Sequence, residues 1–282
     1  MVAMDDITRR RQRFAREVRG ERPDLALLCL LVGAEADPAL DEDGLAAALD
    51  ALDRLAAVVT PPPRAAATPS AWAEALADAL GTRCGFRGDP ADYRRLESSL
   101  LHQVLRRGHG LPILLSVVWI EVGRRVGAPV YGVALPGHFV VGVGDPRGRH
   151  VLADPFSGGR ELTGQDVETL VAGATGGPPT PDMLAPADPL DVIARVLGNI
   201  RAWAAARPEH SAVQLWAVDL SLLLPRHPAR LRAERAQLLV ERGDFLTGAA
   251  ELDRYADLLA ELDPGAAESM RHQARAARAL LN

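Results

Sequence analysis

His138 and Asp154 are the pair whose types and spacing most directly suggest chemistry. Each lies in a short alternating segment, HFVVGV at 138–143 and HVLAD at 150–154, and Asp145-Pro146-Arg147-Gly148 between them is a strong turn signal. A turn centred on Pro146 and Arg147 sets His138 opposite Pro155, and a half-residue shift of the centre sets it opposite Asp154. Directly opposed side chains have Cβ atoms roughly 5 Å apart, within range of an imidazole–carboxylate hydrogen bond. Such a pair is the oriented-base half of a catalytic triad. It also serves as a structural tie across a hairpin, and Pro155 holds Asp154 extended in either case.

A triad needs a nucleophile, and the candidates are few. Ser116 lies one turn inside an apolar helix, a poor place for an attacking hydroxyl. Cys84 sits in a loop and reads as a half-buried structural thiol. It and Cys29 form no Cys-x-x-Cys, which points to a reducing compartment. All 32 basic residues are arginine. Without lysine there is neither a Walker phosphate loop nor a Schiff base. His102, His109, His138 and Asp154 lack the spacing of a helical histidine pair, so neither a metal site nor a cofactor is expected.

The elements that must position these residues follow from periodicity. An arginine-rich helix over 5–19 reads as a solvated face, with an acidic connector at Glu35, Asp37, Asp41, Glu42 and Asp43 further on. Leu45, Leu49, Leu52 and Leu55 mark one amphipathic helix, and Trp72, Leu76 and Leu80 another. A helix is predicted over 93–107, broken by Gly108 and Gly110. Pro112 then opens a helix to Val126, apolar almost all round and so buried at the domain centre. Its one acid, Glu121, faces Arg124 and Arg125 as a structural ion pair. The period then changes from helical to alternating at 130–133, 138–143 and 150–154. Residues 173–189 are Gly/Pro-rich and read as a linker. Beyond them five helices are expected, near 190–206, 210–224, 229–242, 245–262 and 265–281. Inward alanines (Ala233, Ala236, Ala249, Ala250) and prolines after alternate helices resemble tetratricopeptide repeats. The division is therefore 1–172, linker 173–189 and repeats 190–282.

Charge and composition narrow the function classes. The 282 residues carry a net charge of −5, with a pI of about 5.8. A sequence-independent grip on nucleic acid is not expected of such a chain. The longest apolar run, Leu111 to Ile120, is far below the roughly 18–20 residues of a membrane span. The opening residues also lack the apolar core of a signal peptide, so a cytoplasmic location is expected.

Longer motifs carry a resemblance. GFRG at 85–88, the run SSLLHQVLRRGHGLPILLSVVWIEVGRRVGAPVYGVALPGHFVV and then LADPFSGG resemble the SirB-type branch of the transglutaminase-like superfamily. RVLGNIRA at 195–202 is similar to that branch's lead-in to a second, tetratricopeptide-like domain. The resemblance covers about residues 25–282 and rests on Gly-x-Pro-x-x-x-Ser, Pro-Gly-His-Phe and Asp-Pro-Phe. It implies an α+β, papain-like core with N-terminal helices, followed by an all-α repeat domain. It also implies a Cys–His–Asp order of catalytic residues, with His138 and Asp154 in the last two places. The cysteine's place at the helix start is held by Leu111 and Pro112, and lack of the cysteine is a feature of the branch. The family's Asn-Ser pair matches Ser98-Ser99, without the asparagine. Leu111, Pro112, Ser98, Ser99, Gly137 and Phe139 are thereby expected to line a cleft.

Three functions remain open. One is a non-catalytic binding or regulatory protein that meets a protein or peptide partner through its repeats. Another is a hydrolase or acyltransferase using His138–Asp154 with Ser116, Cys84 or water. The third is a structural adaptor acting through the repeats alone.

Overall fold

The computed structural model describes residues 2–280. Contacts divide the chain into two units, Met1–Arg13 with Gly20–Val196, and Phe14–Arg19 with Leu197–Asn282. The helices of the first unit are α1 (Val2–Glu17, whose last residues fall in the second unit), α2 (Leu25–Ala36), α3 (Glu42–Val58), α4 (Pro69–Leu76), α5 (Leu101–Arg107), α6 (Pro112–Val126) and α7 (Gly164–Thr175). Between α6 and α7 runs an antiparallel sheet in the order β1 (Val130–Val133), β2 (Val140–Gly144), β3 (His150–Asp154) and β4 (Arg160–Leu162).

α6 is the central helix that the sequence predicts. Pro112 occupies its first turn, and Gly127 ends it in the left-handed conformation. Leu114, Leu115, Val117, Val118 and Val122 are fully buried, each contributing about 1.5–3 kcal/mol by leaving water. The helix packs on α2, α3 and α5 and against β1 and β2. Its buried Glu121 accepts hydrogen bonds from Arg124 and Arg125, each at 2.7 Å, and Arg125 also reaches Asp53. The carboxylate is thus paired, as burial requires.

Three of the arginines of α1 have partners beyond the helix. Arg10 donates to the Ala34 carbonyl, while Arg11 and Arg13 pair with Glu35 and Glu42 of the acidic stretch. The helix expected over 93–107 is interrupted. Two short 3-10 turns, Pro90–Arg94 and Leu96–Ser99, precede α5, and Leu100 is extended. Asp92 is the cause, because its buried carboxylate accepts from the Asp89 amide and the Ser98 hydroxyl. Such side-chain bonds compete with a continuous helix.

Residues 173–189 do not form a free linker. Met183 and Leu184 pack on the sheet's apolar cluster, and the Ala187 amide donates to the Gly132 carbonyl. The division between units falls instead at Val196, inside helix α8 (Pro189–Ala205). Glycine and proline here describe an irregular path across β1, since the chain still buries apolar side chains on the way.

The second unit continues with α9 (Ser211–Leu223), α10 (Arg230–Glu241), α11 (Phe245–Leu259) and α12 (Pro264–Ala279). These match the expected helices closely, although residue 281 of the last lies outside the described residues. Ala236, Ala249, Ala274 and Ala277 form the close seam of α10, α11 and α12 with Leu252. Ala233 and Ala250 are only half-buried.

Candidate functional site

The site is built from the ends of strands. β2 and β3 pair with Gly144 opposite His150 and Val141 opposite Ala153, so the turn centres on Arg147. Neither expected register for His138 holds, because β2 begins at Val140. Gly137, at φ +72°, turns the chain ahead of the strand, and the His138 amide donates to the Leu135 carbonyl. His138 nevertheless reaches Asp154 from this turn, with its Nε2 3.0 Å from the Asp154 Oδ1.

Asp154 is the last residue of β3 and is nearly sealed from solvent. Its Oδ1 also accepts the Phe156 amide at 3.0 Å, and its Oδ2 accepts the Ser157 hydroxyl at 2.8 Å. Burial is the largest single effect and raises its pKa. The hydrogen bond and charge of His138, with Ser157 and Phe156, together outweigh it and hold the carboxyl below its ordinary value. The carboxylate is therefore ionised at neutral pH and accepts from Nε2–H. That fixes the tautomer and leaves Nδ1 as the basic nitrogen of the neutral ring.

Phe156 stands edge-on to the His138 ring at 6.0 Å. Its carbonyl accepts the Gly88 amide at 2.8 Å, and a Cβ on Gly88 would lie 1.9 Å from the Phe156 ring. Only glycine fits this approach, which joins the GFRG and Asp-Pro-Phe motifs physically. Arg195 of α8, inside the first unit, donates to the His138 carbonyl at 2.7 Å.

The other expected residues behave differently. Ser116 is fully buried, and its hydroxyl lies 3.4 Å from the Phe139 carbonyl, to which it donates. An apolar helix in the core leaves it no route to a substrate. Leu111, Pro112, Ser98, Ser99 and Phe139 are buried as well, and of the expected cleft residues only Gly137 is exposed. The Ser98 hydroxyl donates to Asp92 at 2.8 Å, and its carbonyl accepts the Leu111 amide at 2.9 Å. The Ser98–Leu111 bond ties the start of α6 to the turn before it.

Cys84 is half-buried after a π-helical stretch, Ala77–Arg83. Cys29 lies wholly inside α2, where burial, Glu121 and Asp24 push its thiol far up in pKa and away from reactive thiolate. His102 is held near Asp37 and Gln103, and His109 lies 3.9 Å from Asp92, so neither joins His138. Among the described residues no group of three or more His, Cys, Asp or Glu is placed to hold a metal. None of the described helices is long and apolar enough to cross a membrane. Sequence reasoning passes over Arg195, Tyr93 and Ser157. Arg195 stands in RVLGNIRA, which in the sequence signals only a lead-in to the repeats.

With this geometry, the fold class can be stated. The profile of the transglutaminase-like superfamily matches residues 46–198, and a tetratricopeptide-repeat profile matches 200–282. The chain belongs to the transglutaminase-like superfamily and carries tetratricopeptide repeats after that domain. Its relatives include the UPF0162 protein PA3419 of Pseudomonas aeruginosa, 30% identical over 88% of this chain and 82% of the relative. A UPF0162 protein of Xylella fastidiosa is 33% identical over 64% of this chain, and the match spans 65% of that relative's length. F-box only protein 21 of Mus musculus is 27% identical over 52% of this chain and 24% of its own length.

Proposed function

We propose that this is a non-catalytic transglutaminase-like protein with a binding or regulatory role, which engages a protein or peptide partner. One observation carries the reading: the start of α6 offers buried Leu111 and Pro112 where the superfamily's thiol stands, so His138 has no nucleophile to activate. The repeats support a partner role, because stacked helix pairs present extended surfaces to other chains. A second reading, hydrolysis by a water activated at the His138 Nδ1, draws support from the intact 3.0 Å bond to Asp154.

The test is an assay of the full chain for amine incorporation into glutamine peptides and for peptide and ester hydrolysis. No turnover above background is expected. Activity abolished by both Cys84→Ala and His138→Ala, with the thermal transition unchanged, would make Cys84 the nucleophile. Loss with Ser116→Ala, or with His138→Ala alone, would favour the hydrolase.

A further inference from the structure

Arg195 differs from the partly buried arginines that are paired and shares with Arg10 and Arg207 the lack of a carboxylate partner among the described residues. Arg107 faces Asp92, Arg125 faces Glu121 and Asp53, and Arg235 faces Asp219 and Glu251. Arg195 makes no ion pair with any carboxylate among the described residues. Its Nη2 donates to the His138 carbonyl, and the guanidinium carbon lies 5.6 Å from the centre of the Phe139 ring. Asp154 forms no ion pair with it, and its oxygens accept instead from His138, Phe156 and Ser157. A guanidinium has five N–H donors in a rigid fork. One is used here, on the His138 carbonyl, and the others are the donors a planar anion would engage.

Tyr93 belongs to the same ring cluster. Its ring lies 6.1 Å from Phe156, whose other neighbour at 6.0 Å is His138, and the residue is 52% exposed. Burial and the charge of Asp154 raise its phenol pKa against an opposing pull from Arg195, so the hydroxyl keeps its proton near neutral pH. Burial lowers the pKa of Arg195, and Tyr93 opposes that shift.

We infer that Arg195 and Tyr93 form a receptor for a carboxylate carried by a peptide partner, beside the His138–Asp154 pair. A planar monoanion matches one fork and one neutral hydroxyl. A dianionic phosphate would sit less well so near the charge of Asp154. The inference rests on the proposed binding role and gives it a ligand chemistry.

The experiment is an NMR titration of the full chain, following the His138 ring signals. Four probes are added separately: N-acetyl-glutamate α-amide, N-acetyl-alanyl-alanine with a free C-terminus, the same dipeptide as its amide, and inorganic phosphate. One of the two carboxylates should give a saturable shift with a Kd on the order of 1 mM, and which one does so identifies a side-chain or terminal source. The dipeptide amide should give none. Arg195→Gln should weaken binding about tenfold or more, and Tyr93→Phe, at an exposed side chain that leaves the fold alone, a few-fold. The inference is overturned if neither carboxylate shifts the signals, or if the amide or phosphate binds as well as the better carboxylate. Unchanged affinity in both variants also overturns it. Turnover of an acyl substrate would sink the proposed function alone, whereas absent binding without turnover sinks only this inference.

Discussion

Buried polar side chains are concentrated in one of the two units. Asp92, Ser98, Ser99, Gln103, Ser116, Glu121 and Asp154 are sealed in the first, while in the second Ser221 alone is, among the described residues. Ser221 merely returns its hydroxyl to the Ala217 carbonyl one turn back. The repeat unit keeps its charges at half-exposed positions instead, with Arg201 on Glu234 and Arg235 between Asp219 and Glu251. For Asp92 and Asp154 the difference follows from backbone. Regular helices satisfy their own amides and need only small residues to approach each other. The first unit has 3-10 turns, an extended Leu100 and strand ends whose amides must find side-chain acceptors. Its polar interior therefore has a structural task before any catalytic one.

The largest effect expected of this contrast is at Asp92. Asp92→Ala strips a buried acceptor from the Ser98 hydroxyl, the Asp89 amide and Arg107. Chemical denaturation of the full chain should show a loss of about 2–4 kcal/mol in the first unit. A loss no larger than that of a surface change would mean that the polar interior is incidental.

A smaller, pH-dependent effect is expected at Asp154. Its folded pKa is depressed below an unfolded value of about 3.9. The stability it contributes is fully present above that unfolded value and is lost as pH falls through the lower, folded one. Unfolding followed from neutral pH downward should show the gap between the parent chain and Asp154→Asn narrowing only below about pH 4. A gap that closes near neutral pH instead would mean that the carboxylate is not held by its partners.

The smallest effect belongs to the repeats. Arg235→Ala removes a guanidinium that links two carboxylates at half-exposed positions, and solvent screening limits the cost to about 1 kcal/mol or less. A loss as large as that of Asp92→Ala would erase the distinction between the units.

Legibility in the sequence follows the same division. The repeat helices are legible because their apolar period is uninterrupted and Pro208, Pro225, Gly243 and Pro264 punctuate it. α6 is legible for the same reason, from Pro112 to Gly127. The 93–107 stretch misleads because its helical period is real. Asp92, just ahead of it, captures the Asp89 amide and the Ser98 hydroxyl and so breaks the helix locally. His138 and Asp154 pair by residue type and turn, although the strand register differs once Gly137 turns the chain ahead of β2. Ser116 and the expected cleft residues carry no sign of burial beyond their apolar neighbours. Arg195 is illegible as part of the site because it lies 57 residues from His138 in sequence.

Whether His138–Asp154 stands without a nucleophile can be settled by chemical trapping. The full chain and its His138→Ala variant are treated with a peptidyl acyl electrophile, and any adduct is located by mass spectrometry. No adduct whose formation depends on His138 is expected. A covalent adduct at Ser116 or Cys84 in the parent, lost in His138→Ala with the fold intact, would contradict the absence of a nucleophile.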